Sequence, residues 1–382
     1  MPIRSKLPQV GLTIFSRMTQ LANEHGAINL SQGFPDFPCD PDLLAGVSAA
    51  MAAGHNQYAP MPGLPTLRQA IAAKLLASQG VSIDPEHEIT VTAGATQALY
   101  TVFAAVLAAG DEAIVLEPAY DSYAPAIAAQ GAVPVRIALE APSFAVDWDQ
   151  VAAAITPRTR LIVVNNPNNP ATSVFSAADL DALAALAERH DLLVLADEVY
   201  EHLVYADRHR SVLSHPTLRP RAAAVYSFGK TFHATGWKVG YLVAAPELSD
   251  EFRKLHQYLV FSVSTPMQHA LAAHLAQPDH WRQLADFYRA KRDRLAAGLT
   301  AAGFRLLPCA GTYFQLVDYR PLRADLGELD FAQWLTRDIG VAAIPVSAFY
   351  HDGRDQGLVR FCFAKRDETI DAALGRLARL QS

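Results

Sequence analysis

The middle of the chain is built from short, continuous apolar runs separated by helix-like stretches. ITVTAG (89–94) is β-branched and ends in glycine, and ATQALYTVFAAVLAAG follows as a buried helix closed by Gly110. EAIVLE (112–117) predicts a strand that stops at Pro118, and RLIVVNNP (160–167) one that runs into Asn and Pro. SAADLDALAALAERH (176–190) predicts a helix with Ser176 at its N-cap. DLLVLADE (191–198), AAAVYSFGK (222–230) and VGYLVAA (239–245) predict three more strands. Unbroken apolar strands belong to a sheet covered on both faces. Their interleaving with helices predicts an α/β fold with a mostly parallel sheet. Polar residues and glycines gather at the strands' C-terminal ends, where open parallel sheets bind ligands.

The texture changes after about residue 285. DFYRAKRDRLAAGLTAAG is a long amphipathic helix, followed by GTYFQLVDY, FAQWLTRDIG, VAAIPV, LVRFCFA and a last helix. The expected division is a large domain over 46–284 and a smaller α+β domain over 285–382. Residues 1–45 join the smaller one, because they carry no sheet-core pattern.

Composition narrows the functional classes. The 382 residues are 51% hydrophobic and 18% charged, which excludes a disordered chain. Net charge is -6, and the short basic stretch at 289–294 has the spacing of a solvated helix face. A nucleic-acid partner is therefore not expected. Cys39, Cys309 and Cys362 are too far apart for a disulfide framework or a C-x-x-C metal pair. No apolar leader or membrane-length run is present, so the expectation is a cytoplasmic protein without a membrane partner.

Lys230, in SFGKT, is read as the end of an apolar strand. Three chemistries use a lysine there. A phosphate-binding P-loop needs a glycine where Ala224 stands, and its acidic strand would follow rather than precede it. An S-x-x-K site, Ser227 to Lys230, lacks the companion motifs of penicillin-binding enzymes. A Schiff-base lysine attacks an aldehyde as the neutral amine. If that aldehyde is pyridoxal 5'-phosphate (PLP), its phosphate needs a helix N-terminus, hydroxyls and a cation. Its pyridine nitrogen needs a carboxylate, and its ring an aromatic neighbour. Gly94, Ala95 and Thr96 open a helix directly after a strand, and Ser227 and Lys238 flank Lys230. Asp197 ends LLVLAD, and Tyr120 follows EAIVLEP. Taken singly, Asp197 and Thr96 read equally well as caps and Tyr120 as a packing residue. Their joint placement favours the third chemistry.

SFGKTFHATGWKVGY, ADEVYEHLVY, NNPNNP and TAGATQALY together resemble a PLP-dependent aminotransferase of fold type I. LSQGFPDFP, NQYAPMPG, EPAYDSYAPAI, HQYLVFSV, GTYFQLVDY and VRFCFAK narrow the resemblance. It is to the class I branch that holds kynurenine, glutamine-K and bacterial methionine aminotransferases. It covers about residues 7 to 375. The implied fold is the PLP-dependent transferase fold type I, a seven-stranded sheet between helices beside a smaller α+β domain.

The resemblance also implies roles. Lys230 is the Schiff-base lysine and proton carrier, and Asp197 pairs with the pyridinium nitrogen. Tyr200 and Asn169 contact the ring hydroxyl, and Tyr120 stacks on the ring. Gly94, Ala95, Thr96, Ser227 and Lys238 cradle the phosphate, with Lys238 where many relatives carry Arg. Arg360 clamps the substrate α-carboxylate, assisted by Gly33. Tyr58 crosses to the neighbouring subunit's phosphate, which implies a homodimer with shared sites. Phe15 and Phe261 read as apolar pocket residues. One departure stands out: Ala171-Thr172 follow Asn169-Pro170 where the family reads Thr-Gly. No Arg lies in 255–270, where the resemblance brings the neighbouring chain to the pocket, to hold a side-chain carboxylate, so the expected donor is apolar or aromatic, methionine first. The expected reaction is a ping-pong transfer to a 2-oxo acid. The rivals are a cysteine-conjugate β-lyase or kynurenine-type enzyme on the same site, and a PLP-sensing regulator, for which no DNA-binding segment is seen.

Overall fold

The structure is a computed structural model and describes residues 5–381 apart from Gln9 and Ala206. The N-terminal stretch from which the lack of a leader was read lies partly outside these residues.

A seven-stranded sheet organises the chain, in the order Ile89–Thr92, Gly240–Ala244, Ala222–Ser227, Leu193–Asp197, Thr159–Asn165, Glu112–Glu117 and Val133–Ala138. Only Gly240–Ala244 runs against its neighbours. The unbroken apolar runs have a simple cause. Alternate residues of each inner strand enter two different cores, Ile162 and Val164 one face, Leu161 and Val163 the other. The strand Val133–Ala138 escapes the apolar pattern because it is the half-exposed edge, with Pro134 in it and Arg136 paired to Glu117.

Strand ends come earlier than the apolar runs suggest. Ile89–Thr92 stops before Ala93, and Gly94 takes φ 80° to start the helix Ala95–Val106. Lys230 is not on a strand tip: the strand ends at Ser227, and Phe228–Thr231 closes into one helical turn through Phe232 N–H to the Phe228 carbonyl, 2.7 Å. The helix Ala177–Arg189 carries the reciprocal Ser176–Asp179 capping box that its sequence promised.

A four-stranded antiparallel sheet follows, in the order Ile344–Pro345, Leu358–Cys362, Phe314–Asp318, Arg305–Leu306. Ile28–Asn29 pairs with Val341–Ala342. The basic stretch lies on the helix Leu284–Ala301, with Lys291 paired to Asp367 and Arg294 to Asp371. No helix among the described residues is long and apolar enough to cross a membrane.

Gly240 sets how closely the reversed strand approaches the rest. A Cβ there would fall 2.5 Å from the Tyr226 carbonyl oxygen and 3.1 Å from the Ala95 nitrogen, both backbone. We expect Gly240→Ala to lower stability by about 1–3 kcal/mol in urea unfolding, as overpacking against rigid neighbours does. An unchanged midpoint would show that the two strands can move apart freely.

Candidate active site

The C-terminal edge of the parallel strands meets the N-terminal end of the reversed strand, so both ends deliver side chains to one cavity of about 320 Å³. It is lined by Phe15, Gly33, Gly94, Ala95, Thr96, Tyr120, Asn169, Asp197, Tyr200, Ser227, Lys230, Lys238 and Arg360. Tyr58 and Phe261 do not line it. They pack edge to face at 5.1 Å on the surface, 81% and 51% exposed. Phe261 follows the helix Pro246–Leu259 on an exposed turn at φ 66°.

One wall suits an anion. The helix Ala95–Val106 has no side-chain cap, so its first N–H groups are left for a ligand. Gly94 leaves room for Lys238: a Cβ on Gly94 would lie 3.4 Å from Lys238 Nζ. The Ser227 hydroxyl caps nothing on the helical turn it precedes.

Of the other charges, Asp197 and Arg360 are buried and Lys230 is half-buried. Asp197, 5% exposed, accepts from Tyr123 Oη at 2.6 Å and from the Val199 N–H. Burial still pushes its carboxyl up to about 6. Lys230 Nζ donates to the Gly33 carbonyl at 3.1 Å and meets Tyr313 Oη at 2.8 Å, and burial pushes it down to about 8. Arg360, 1% exposed, donates through Nη1 to Asn169 Oδ1 and through Nη2 to the Ser31 carbonyl, while its buried Nε has no partner. Its guanidinium lies 3.8 Å from the centre of the Phe314 ring, and burial pushes it down to about 10. Asn165 braces two walls, bonding the Asn169 N–H and the Asp197 carbonyl.

An amine near neutrality, a carboxylate, an anion cradle and an aromatic wall match the parts that PLP requires. A family model for class I and II aminotransferases matches residues 25–377. The chain belongs to this family. It is an aminotransferase, and membership implies PLP as the cofactor. A methionine aminotransferase from Escherichia coli (strain K12) is 52% identical over 379 residues, covering 99% of this chain and 98% of that one. A probable N-succinyldiaminopimelate aminotransferase from Mycobacterium tuberculosis is 42% identical, covering 98% of each. An Escherichia coli crystal structure identified with a methionine aminotransferase function superposes with a TM-score of 0.97 at 51% identity, covering 99% of this chain and all of that chain.

The sequence reading missed several residues of this aminotransferase's cavity and its surround. Tyr123 and Tyr313 stood inside quoted motifs, EPAYDSYAP and GTYFQLVDY, without an assigned contact. Tyr123 is three residues from Tyr120 on a turn, a spacing that could have flagged it. Gln32, Leu99 and Phe314 carried no signal beyond ordinary packing.

Lys230 can be tested without turnover. The rate at which the cofactor-free protein captures a simple aldehyde should rise with pH and level off above about 8, because only the neutral amine attacks. Lys230→Ala should abolish that phase. A midpoint at the ordinary 10.5 would mean a solvated amine.

Proposed function

We propose that this aminotransferase uses PLP to move the amino group of an apolar amino acid, methionine first, to a 2-oxo acid in a ping-pong cycle. The observation that carries the substrate class is that Arg360 is the only arginine among the described residues lining the cavity. One guanidinium suits one α-carboxylate. The remaining cation pair is spoken for: Lys238 sits over the Gly94 turn and Lys230 at the reacting centre. The walls near Arg360 are Phe15, Phe314 and Phe349. The Escherichia coli relative, named for methionine, supports the same choice.

PLP, when bound, supplies an aldehyde to accept the amino group and a ring that withdraws electrons from the substrate Cα. The protein's residues do the rest. The Gly94–Ala95–Thr96 turn, Ser227 and Lys238 would hold its phosphate. Asp197 would keep a proton on the ring nitrogen, and Tyr120 would cover the ring face. Tyr200 and Asn169 would hydrogen-bond the ring hydroxyl. Lys230 Nζ would take the proton from the substrate Cα and hold it for return on the cofactor side of the nitrogen. Its lowered affinity for protons matches that task near neutral pH. Arg360, oriented by Asn169, grips the α-carboxylate, with the Gly33 backbone beside it.

We also propose a homodimer. Tyr58, Tyr258 and Phe261 are exposed aromatics on one stretch of surface, and Tyr58 would reach the neighbouring subunit's phosphate. The division into domains of 46–284 and of 1–45 with 285–382 is supported by the pairing of Ile28–Asn29 with Val341–Ala342. Three free cysteines support a cytoplasmic setting.

The half-reaction tests the assignment. With PLP bound and no acceptor, methionine should convert the cofactor's absorption to that of the amine form, and aspartate should do so at least about tenfold more slowly, since a second carboxylate finds no partner. Equal rates would overturn the apolar reading. Lys230→Ala should lose about a thousandfold or more in turnover, the scale of a positioned acid–base group. Near-normal turnover in that variant would remove Lys230 from the chemistry. Light scattering should give twice the monomer mass, and Tyr58→Phe should weaken PLP retention. A monomer with full activity would refute the shared site.

A further inference from the structure

Lys230 stands on the short helical turn Phe228–Thr231 and reaches the cavity on a flexible four-carbon stem. A proton carrier on such a stem works only if its nitrogen is held within roughly 0.5 Å of one place. Charge does not hold it there. Lys230 makes no salt bridge among the described residues. Loss of solvation dominates its lowered proton affinity, and Cys362, Asp197, Arg360 and Lys238 act on it from the surrounding walls with opposing signs.

Two oxygens hold it instead. Nζ donates to the Gly33 carbonyl at 3.1 Å and to Tyr313 Oη at 2.8 Å. The oxygens are themselves joined, Tyr313 Oη donating to the Gly33 carbonyl. Tyr313 is as rigid as Lys230 is flexible. It is fully buried, its carbonyl accepts from the Phe363 N–H at 2.9 Å, and Tyr200 and Phe314 meet its ring edge to face at 5.1 and 4.9 Å. Tyr313 is not among the residues lining the cavity, so any part it takes in the chemistry passes through a neighbour.

The available protons set the direction of each bond. An ammonium only donates, and a carbonyl only accepts. With Lys230 charged, the phenol oxygen must accept from it, and the phenol proton turns to Gly33. The Tyr200 hydroxyl, which also interacts with that of Tyr313, offers the proton another place and does not turn it towards Lys230. Two of the three ammonium N–H groups are thus held, and the third is free to leave. The neutral amine keeps the same two bonds, and its lone pair takes the place of the third.

We propose that Tyr313 is a positioning residue for Lys230: its hydroxyl oxygen and the Gly33 carbonyl hold two N–H groups of the free amine and leave the third position, proton or lone pair, for the substrate. This rests on the reading of Lys230 as the proton carrier of a PLP-dependent transamination. The same position on the nitrogen then serves as acid in one state and as base in the other.

Tyr313→Phe compared with Tyr288→Phe tests it, since both keep their rings. Tyr288 packs 5.8 Å from Tyr313, and its buried hydroxyl has no hydrogen-bond partner, so its variant controls for loss of a phenol from the same cluster. In the cofactor-free protein, the aldehyde-capture phase that Lys230→Ala abolishes reads the amine directly. Losing an acceptor removes stabilisation from the ammonium, so Tyr313→Phe should move the capture midpoint down from about 8 by about half a pH unit or more. Tyr288→Phe should leave it in place. A site merely loosened would admit water and move the midpoint up towards 10.5. That result, or no shift, would overturn the proposal. In the PLP-loaded protein, Tyr313→Phe should lower kcat for methionine about ten- to a hundredfold with KM within about twofold, as a displaced reacting group does. Deuterium at the substrate Cα should slow this variant more than the parent, because proton transfer becomes the slow step. A change confined to KM would also overturn the proposal. The capture midpoint is read without any amino acid, so it decides the role of Tyr313 even if methionine is not the donor.

Discussion

The active site depends on burying charge at one edge of a sheet. Asp197 and Arg360 are buried and Lys230 half-buried, and in each the largest influence on proton affinity is loss of solvation. The consequence for stability has a definite sign. The Asp197 carboxyl is raised from 3.8 to about 6, so the native state gives up stability as pH rises through that window. The Lys230 amine is lowered from 10.5 to about 8, so stability is lower below pH 8 and is regained as pH rises towards 10.5. At neutral pH both groups are held against their solvation preference, at about 3 kcal/mol each. The sheet's two dry cores must supply that, which is why such a small site needs so large a scaffold.

The topology explains how three charges meet without neutralising one another. The parallel strands present their C-terminal ends, where Asp197 and the Asn165–Asn169 turn lie. The one reversed strand presents its N-terminal end, which brings Lys238 to the same edge. Lys230 comes from the helical turn beyond the neighbouring strand. Arg360 comes from the separate antiparallel sheet, on the strand Leu358–Cys362. The cation for the cradle and the cation for the carboxylate are thus supported by different sheets. Any relative movement of the two sheets would change the distance between them.

Much of this was legible in the sequence because burial leaves a strong signature. Inner strands covered on both faces read as unbroken apolar runs, and polar residues at their ends stand out against them. The capped helix at Ser176 was legible for the same local reason. The edge strand Val133–Ala138 was not, because its outward face is solvated and Pro134 argues against a strand. The strand limits at Ser227 and Thr92 were overrun, because apolar residues continue into the turns that hold the site. Phe261 read as a pocket residue on the stretch expected to approach the neighbouring chain's site, and it lies exposed on its own chain, outside its own cavity.

Two of the residues that sequence reasoning passed over share a chemistry. Two uncharged phenols pack against the titrating groups: Tyr123 donates to Asp197, and Tyr313 accepts from Lys230. Burial raises the proton affinity of both phenols well above the ordinary value, and that of Tyr200 likewise. They therefore stay protonated across any pH at which Lys230 cycles. A histidine or a second carboxylate in either place would titrate inside that range and change the charge balance with it. A phenol instead gives Asp197 a hydrogen bond that favours its ionised form, and gives Lys230 a contact that adds no charge. Because tyrosine is also an ordinary core residue, this supporting layer looks like packing in the sequence and like chemistry only once its hydroxyls are located.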